Sequence, residues 1–321
     1  MTPGTVLITG PTGGLGRETT LALARRPAAE RPDLVLVGRA GEPLGAVASE
    51  ARAHGAVVHD IGADLARLSD VRAAASTVSE LVAAGQTRPL CGLIGNAGLM
   101  SVDTHTASAD GYELTFAVNY LAHAQLIDDL RDQFSGPARI VLVGSNTYHQ
   151  NIFRKMLRVA PAHWRDPIEM ARPLPAHEPA SMERSGIAYS DSKLAILYYA
   201  HELERHLPDG VTVAVFEPGF MPGTGLSRAF GGPLPAADRT GHPGDPRRLL
   251  TGAVGSAAGL GRRRRPMGSP ERRSLCRQER RAAGAAVRPR PHPRTTALGS
   301  DHPTAADTEP VMIDGPVTIR L

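Results

Sequence analysis

The sequence predicts an α/β fold built on a doubly wound parallel sheet, and three observations carry that expectation. Short apolar runs alternate six times with longer segments of helical periodicity. Most of the runs are continuous in Val, Ile and Leu, as strands covered on both faces are. A glycine-rich turn follows the first run directly and opens the first helix.

The strand candidates are residues 5–8, 34–37, 56–58, 90–94, 139–143 and 211–216. The first helix runs from the glycine turn to about Arg26. Val71, Ala74, Ala75, Val78, Leu81 and Val82 keep one apolar stripe between the third and fourth strands. Leu114, Val118, Leu121, Ala122 and Leu126 keep another between the fourth and fifth. Alternation of this kind calls for right-handed βαβ units and a single domain over residues 1–230.

Composition bounds the rest. The 321 residues are 41% hydrophobic and 21% charged, enough for a sizeable core. No apolar run reaches the roughly 18 residues of a membrane helix. Met1-Thr2-Pro3-Gly4 enters Val6-Leu7-Ile8 without a basic or apolar leader, so a cytoplasmic location is expected, with no membrane partner. Cys91 and Cys276 make neither a disulfide framework nor a metal-ligand spacing. All 13 aromatics lie in residues 1–230, where the net charge is −4; residues 231–321 carry +8 and hold 24 Pro and Gly. The working domain is therefore mildly acidic, which argues against a specific nucleic-acid partner. The C-terminal stretch 231–321 is of low complexity, with Arg262–Arg265 and a Pro/Arg run before Pro293. It reads as a disordered basic tail, as a low-complexity extension, or as an out-of-frame translation of a GC-rich gene with the frame lost between Arg228 and about Pro235.

The turn itself is Thr9-Gly10-Pro11-Thr12-Gly13-Gly14-Leu15-Gly16. Glycine lets a backbone turn sharply and come close to a pyrophosphate, which then meets the amides and positive dipole end of the following helix. Gly10, Gly14 and Gly16 match the TGxxxGxG pattern of the short-chain dehydrogenase/reductase family, which the chain closely resembles. That resemblance implies a Rossmann-type fold and a nicotinamide cofactor. At the end of the second strand stands Val37-Gly38-Arg39. An acidic residue there would repel a 2′-phosphate, whereas the Arg39 guanidinium offers it a planar fork, and Arg17 beside the turn is a candidate second cation. NADP(H) is the expected cofactor. The resemblance also implies that Asp64 and Leu65 lie at the adenine and that Asn96-Ala97-Gly98 is the family's NAG motif, with Gly95 where the family often has another Asn.

Tyr189-Ser190-Asp191-Ser192-Lys193 is a YxxxK spacing, which puts Tyr189 and Lys193 on one helical face. The helix is expected to run to about Leu207. An ammonium beside a phenol lowers its pKa from about 10, which suits the phenol to proton exchange with a carbonyl oxygen. Lysine is rare here: of 36 Lys and Arg residues only Lys155 and Lys193 are lysine. By resemblance, Ser145 at the end of the fifth strand orients the carbonyl and Asn119 is the fourth catalytic position, holding a water in a proton relay. Glu217-Pro218-Gly219 then gives the family's PG turn beside the nicotinamide, and Thr224 contacts its carboxamide. No GxSxG elbow is present, so a serine-hydrolase reading fails.

Forty-three residues, 146–188, separate Ser145 from Tyr189 and carry Tyr148, Phe153, Met156, Trp164, Met170 and Met182. A long insertion near chemistry often covers substrate, and this one suits a bulky hydrophobic or aromatic molecule. The chain looks like the retinol dehydrogenase and protochlorophyllide reductase branch, and like ketoreductases that tailor polyketide antibiotics. In that family a substrate-capping helix pair and a seventh strand follow the position of Leu226; residues 231–321 show no such pattern. The expected activity is NADPH-dependent reduction of a hydrophobic ketone, such as a polyketide antibiotic intermediate. Reduction of a C=C bond and cofactor binding without turnover are the alternatives, and homo-oligomerisation is left open.

Overall fold

Parallel pairing organises the observed fold. The computed structural model describes residues 3–145, 147 and 162–219. The stretch 231–321, Thr224, and residues 146 and 148–161 of the insertion lie outside the described residues, and the domain boundary expected near 230 lies there too.

The elements run β1 (Thr5–Thr9), α1 (Gly14–Ala24), β2 (Asp33–Gly38), α2 (Glu42–Ala53), β3 (Val58–Gly62), α3 (Leu68–Ala83) and β4 (Leu90–Gly95). A continuous helical run follows: α4 (Leu114–Phe116), a π turn (Ala117–Leu121) and α5 (Ala122–Leu130). Then come β5 (Phe134–Val143), α6 (Pro167–Met170), α7 (Met182–Leu203) and β6 (Val211–Phe216). The strands form one parallel sheet in the order β3-β2-β1-β4-β5-β6. The chain works outward from β1 to β3, then returns to place β4 on the other side of β1. Connections leaving β1 and β4 therefore diverge, and a crevice opens beyond their carboxyl ends.

Strand alternation divides the core in two. Ile8, Leu34 and Leu36 pack with Leu21, Leu44 and Val47 of α1 and α2. Their neighbours Leu7, Val35 and Val37 join Val71, Leu93, Phe116, Leu126 and Ile140 on the opposite face, under α3, α5 and α7. All six residues of β2 are buried, which explains its uninterrupted apolar run.

Several boundaries differ from the sequence expectation. The third strand is Val58–Gly62 rather than 56–58. It is the outer strand, paired only with β2, and it gives Val58 to one half of the core and Ile61 to the other, so His59 and Asp60 between them fit it. Val57, counted as a strand residue, is half exposed. β5 starts at Phe134, where its register against β4 jumps from Leu90↔Phe134 to Gly92↔Arg139. α1 stops at Ala24 and α7 at Leu203, short of Arg26 and Leu207, because each of those residues precedes a proline, which disfavours helical geometry. Among the described residues no helix is long and apolar enough to cross a membrane.

One ion pair ties the start of β2 to the loop before β4. Asp33 accepts from the Arg88 backbone N and Nε at 3.0 Å each, and from Nη2 at 2.7 Å. Burial works to raise the Asp33 pKa, but the Arg88 bonds outweigh it and hold the carboxyl below its usual range. Its contribution is therefore complete above the unfolded carboxylate pKa of about 3.9 and is lost as pH falls through the lower folded value. Because Arg88 is one-third exposed, Asp33→Ala is expected to cost about 2 kcal/mol, below the range for fully buried pairs. Urea unfolding at pH 7 measures this, and the gap between parent and variant should narrow below pH 4.

Candidate active site

The crevice begins where β1 ends. The buried Thr9 hydroxyl accepts the backbone N–H groups of Asn96 and Ala97, each at 3.0 Å. The Asn96 carboxamide donates to the Thr9 and Gly10 carbonyls, also at 3.0 Å. These four bonds take over where the β1–β4 ladder stops at Ile8↔Ile94. Gly10 has φ +64°, and a Cβ there would lie 2.9 Å from Ala97 Cα. A Cβ on Gly16 would lie 2.1 Å from the Gly10 carbonyl oxygen, so α1 starts in direct contact with the turn.

The other side of the turn is open. Thr12, Gly13 and Gly14 are exposed and Leu15 is half-buried. A Cβ on Gly13 would meet nothing within 4 Å. Gly13 caps α1 without a side-chain hydrogen bond, and no acidic residue stands in the first turn. The first amides of α1 are thus left without a side-chain acceptor at its positive end, the arrangement that receives a phosphate.

The other expected cofactor residues surround this turn unevenly. Arg39 is exposed just beyond β2 and forms no ion pair with any described residue. Arg17 differs from expectation: its guanidinium is paired with Glu50 of α2 and lies 3.6 Å from Glu18. Asp64 is exposed beyond β3 and accepts the Ala66 N–H at 3.0 Å, while the Leu65 side chain is buried in the core. Pro218 and Gly219 follow β6, next to the carboxyl end of β5, where Gly144 N donates to Phe216 O at 2.8 Å.

α7 brings the second group to the same end of the sheet. Ser181 caps it by accepting the Arg184 N–H at 3.2 Å, and the helix then runs for 22 residues. Tyr189 and Lys193, one turn apart, are both buried. The Tyr189 phenol is near enough to the side chain of Ser145, the second residue beyond β5, for that hydroxyl to favour its ionised form. Lys193 Nζ donates to the Val143 carbonyl at 2.7 Å and lies 5.7 Å from the Tyr189 ring centre. Fully buried Asn119 accepts the Leu99 N–H at 2.8 Å. It donates to the Leu99 carbonyl at 2.9 Å and to Ser192 Oγ at 3.0 Å, and Ser192 donates in turn to the Tyr189 carbonyl at 2.7 Å. A Cβ on Gly98 would lie 3.2 Å from Asn119 Oδ1 and 3.6 Å from Lys193 Nζ, so the Asn96–Gly98 segment joins the two halves of the site.

The electrostatics differ from expectation in one respect. Burial raises the Tyr189 pKa and the Ser145 hydroxyl opposes it, whereas the sequence predicts a lowering by Lys193. Burial also lowers Lys193, to about 8. Both charged forms suffer in the same water-poor environment, and the ammonium is directed at a carbonyl rather than at the phenol.

Three buried polar residues escape the sequence patterns. Glu113 caps α4 by accepting the Thr115 and Phe116 N–H groups. Asp191 pairs with Arg165 from the insertion, beside the edge-to-face contact of Trp164 with Tyr198 at 4.6 Å. His123 links Thr9 to the Asn119 backbone. A histidine on the apolar stripe, four residues after Asn119, was the one signal available for the last.

The close approach of Gly16 makes a specific forecast. Overpacking against side chains costs about 1–3 kcal/mol, and here the obstacle is backbone, so Gly16→Ala should lose at least about 3 kcal/mol in denaturant unfolding. Stability matching the parent's would contradict the contact.

Comparison with known proteins agrees with this geometry. Residues 4–156 match the family model for short chain dehydrogenase. Over 216 residues the chain is 36% identical to a protein of Streptomyces sp. (strain C5) named as a daunorubicin C-13 ketoreductase, DnrU, covering 67% of this chain and 65% of that protein. It is 31% identical over 221 residues to human retinol dehydrogenase 13, covering 67% of this chain and 58% of that one. The chain thus spans 58–65% of the length of these curated relatives. Among solved structures, an uncharacterised protein from Mycobacterium paratuberculosis superposes with a TM-score of 0.50 at 28% identity, covering 68% of this chain and 69% of that one. By its matched region, its relatives and its fold, the chain belongs to the short-chain dehydrogenase/reductase family.

Proposed function

We propose that this protein is an NADPH-dependent ketoreductase acting on a bulky hydrophobic ketone. The observation that carries the reading is the Tyr189 phenol, buried beside Ser145, one turn from buried Lys193 and at the same end of the sheet as an open glycine turn. The relative named as a ketoreductase supports the reaction type, and the retinol dehydrogenase supports an apolar substrate.

The residues present fit a dinucleotide. Gly13 and Gly14 and the first amides of α1 would hold the pyrophosphate, Arg39 the 2′-phosphate, and Asn96–Gly98 with Pro218 and Gly219 would flank the nicotinamide end. When bound, the reduced nicotinamide supplies a hydride to the carbonyl carbon. The neighbouring Ser145 and Tyr189 hydroxyls would converge on the carbonyl oxygen and fix its orientation. As negative charge develops there, Ser145 donates a hydrogen bond and Tyr189 gives up its proton. Lys193 supplies positive charge at this end of the sheet and so favours the phenolate left behind. Asn119 acts through Ser192 on the backbone of Tyr189. Trp164, packed on Tyr198, and the exposed Ile168 and Met182 give the described part of the insertion and the start of α7 the apolar character a hydrophobic substrate requires.

Two measurements test this. Tyr189→Phe removes the proton donor and leaves the turn intact, so ketone-dependent loss of NADPH absorbance should fall by about 10²–10⁴-fold while NADPH still binds. Retained turnover would sink the mechanism. Arg39→Ala should weaken NADPH about tenfold and leave NADH affinity unchanged, since one exposed charge-assisted bond is lost. An equal effect on both nucleotides would count against a 2′-phosphate at Arg39.

A further inference from the structure

His123 is buried in the helical run between β4 and β5, and the reaction outlined above does not use it. Its Nδ1 lies 2.9 Å from the Asn119 backbone oxygen and its Nε2 lies 2.9 Å from Thr9 Oγ. The partners determine the tautomer. A carbonyl oxygen only accepts, so Nδ1 carries the hydrogen. Thr9 Oγ already accepts the N–H groups of Asn96 and Ala97, so its own proton is left to donate. Nε2 is its near acceptor, the Ile94 carbonyl being 3.5 Å away. The ring is therefore neutral, hydrogen-bonded at both nitrogens. Burial, reinforced by the charge of Lys193 and opposed by the Asn119 bond, pushes its pKa down to about 4.

The place it holds is unusual backbone. Over Ala117–Leu121 the helix widens to a π turn, with the Ala122 N–H bonding to the Ala117 carbonyl. Asn119 lies at its centre, and the His123 ring supplies a donor to its carbonyl. The ring also packs against β4: a Cβ on Gly95 would lie 3.0 Å from His123 Cδ2. From Thr9 an unbroken series of hydrogen bonds runs to His123, Asn119, Ser192 and the Tyr189 carbonyl, with lengths of 2.9, 2.9, 3.0 and 2.7 Å.

We propose that His123 is a positioning residue for ketone reduction, locking the Asn119 carbonyl and its π turn to the cofactor turn through Thr9. The proposal rests on the reductase reading given above. Losing the ring frees the Asn119 backbone, and through Ser192 the catalytic helix, without removing any group that touches substrate or cofactor.

Three substitutions separate positioning from packing. His123→Phe keeps an aromatic ring and deletes both bonds. His123→Asn places an amide N–H near the position of Nδ1, where it reaches the Asn119 carbonyl; His123→Gln places its amide near Nε2, where it reaches only Thr9. With NADPH and a ketone substrate, His123→Phe should lower kcat about tenfold, with ketone KM and NADPH affinity within about threefold of the parent. His123→Asn should recover most of that loss and His123→Gln should not. A kcat for His123→Phe within twofold of the parent, or equal recovery by Asn and Gln, overturns the proposal. The tautomer is read without turnover: ¹⁵N NMR of the histidine-labelled parent should show His123 with Nδ1 protonated and Nε2 bare at pH 7. A protonated Nε2 overturns the proposal, whereas a correct tautomer in a protein that reduces no ketone faults the reductase reading instead.

Discussion

Two backbone amides and one imidazole converge on the hydroxyl of Thr9, and the rest of the site depends on that convergence. At a switch point the two central strands lose their ladder just where a ligand must enter, so their ends need another tie. Thr9 and the Asn96 carboxamide supply it, pairing the Asn96 and Ala97 amides and the Thr9 and Gly10 carbonyls. Gly10 and Gly16 are the consequence. Only residues without a side chain allow β1, α1 and the Asn96–Gly98 segment to approach so closely.

Burial governs the other half. Tyr189, Lys193 and Asn119 all sit out of water at the carboxyl ends of β4 and β5. Burial desolvates each, and fixed partners offset this for two of them: the Val143 carbonyl for the ammonium, Leu99 and Ser192 for the carboxamide. In the proposed reduction, dipoles fixed beforehand need not reorganise, so the same low-polarity setting that raises the phenol's pKa would strengthen every bond to a developing oxyanion. α7 is anchored along its length by the Ser181 cap, the Asp191–Arg165 pair and the Tyr198–Trp164 contact, which hold the phenol in register with Ser145.

Much of this was legible in the sequence. The glycine turn, Tyr189 and Lys193 announce themselves by residue type and spacing, because backbone approach and proton exchange admit few alternatives, whereas Asn119 and Ser145 were picked out by the family resemblance. Continuous apolar runs located the inner strands but misplaced β3, since an outer strand with a single neighbour gives only Val58 and Ile61 to the core and tolerates His59 and Asp60. The pairing of Arg17 with Glu50 joins residues 33 apart and no local pattern encodes it. His123 was hidden for a different reason. Within an apolar helical stripe a single histidine carries no mark of its partners, and one of them, Thr9, lies 114 residues away. The rise of the Tyr189 pKa by burial was also beyond spacing alone, because it depends on how much water the fold removes.

Hydride delivery to a carbonyl carbon is the central claim, and isotope transfer tests it most directly. NADPH deuterated at the transferring C4 position, incubated with this protein and a hydrophobic aromatic ketone, should yield an alcohol carrying a single deuterium on the carbinol carbon. An alcohol without deuterium, or deuterium found on the carbon of a reduced C=C bond with the ketone intact, would contradict the account.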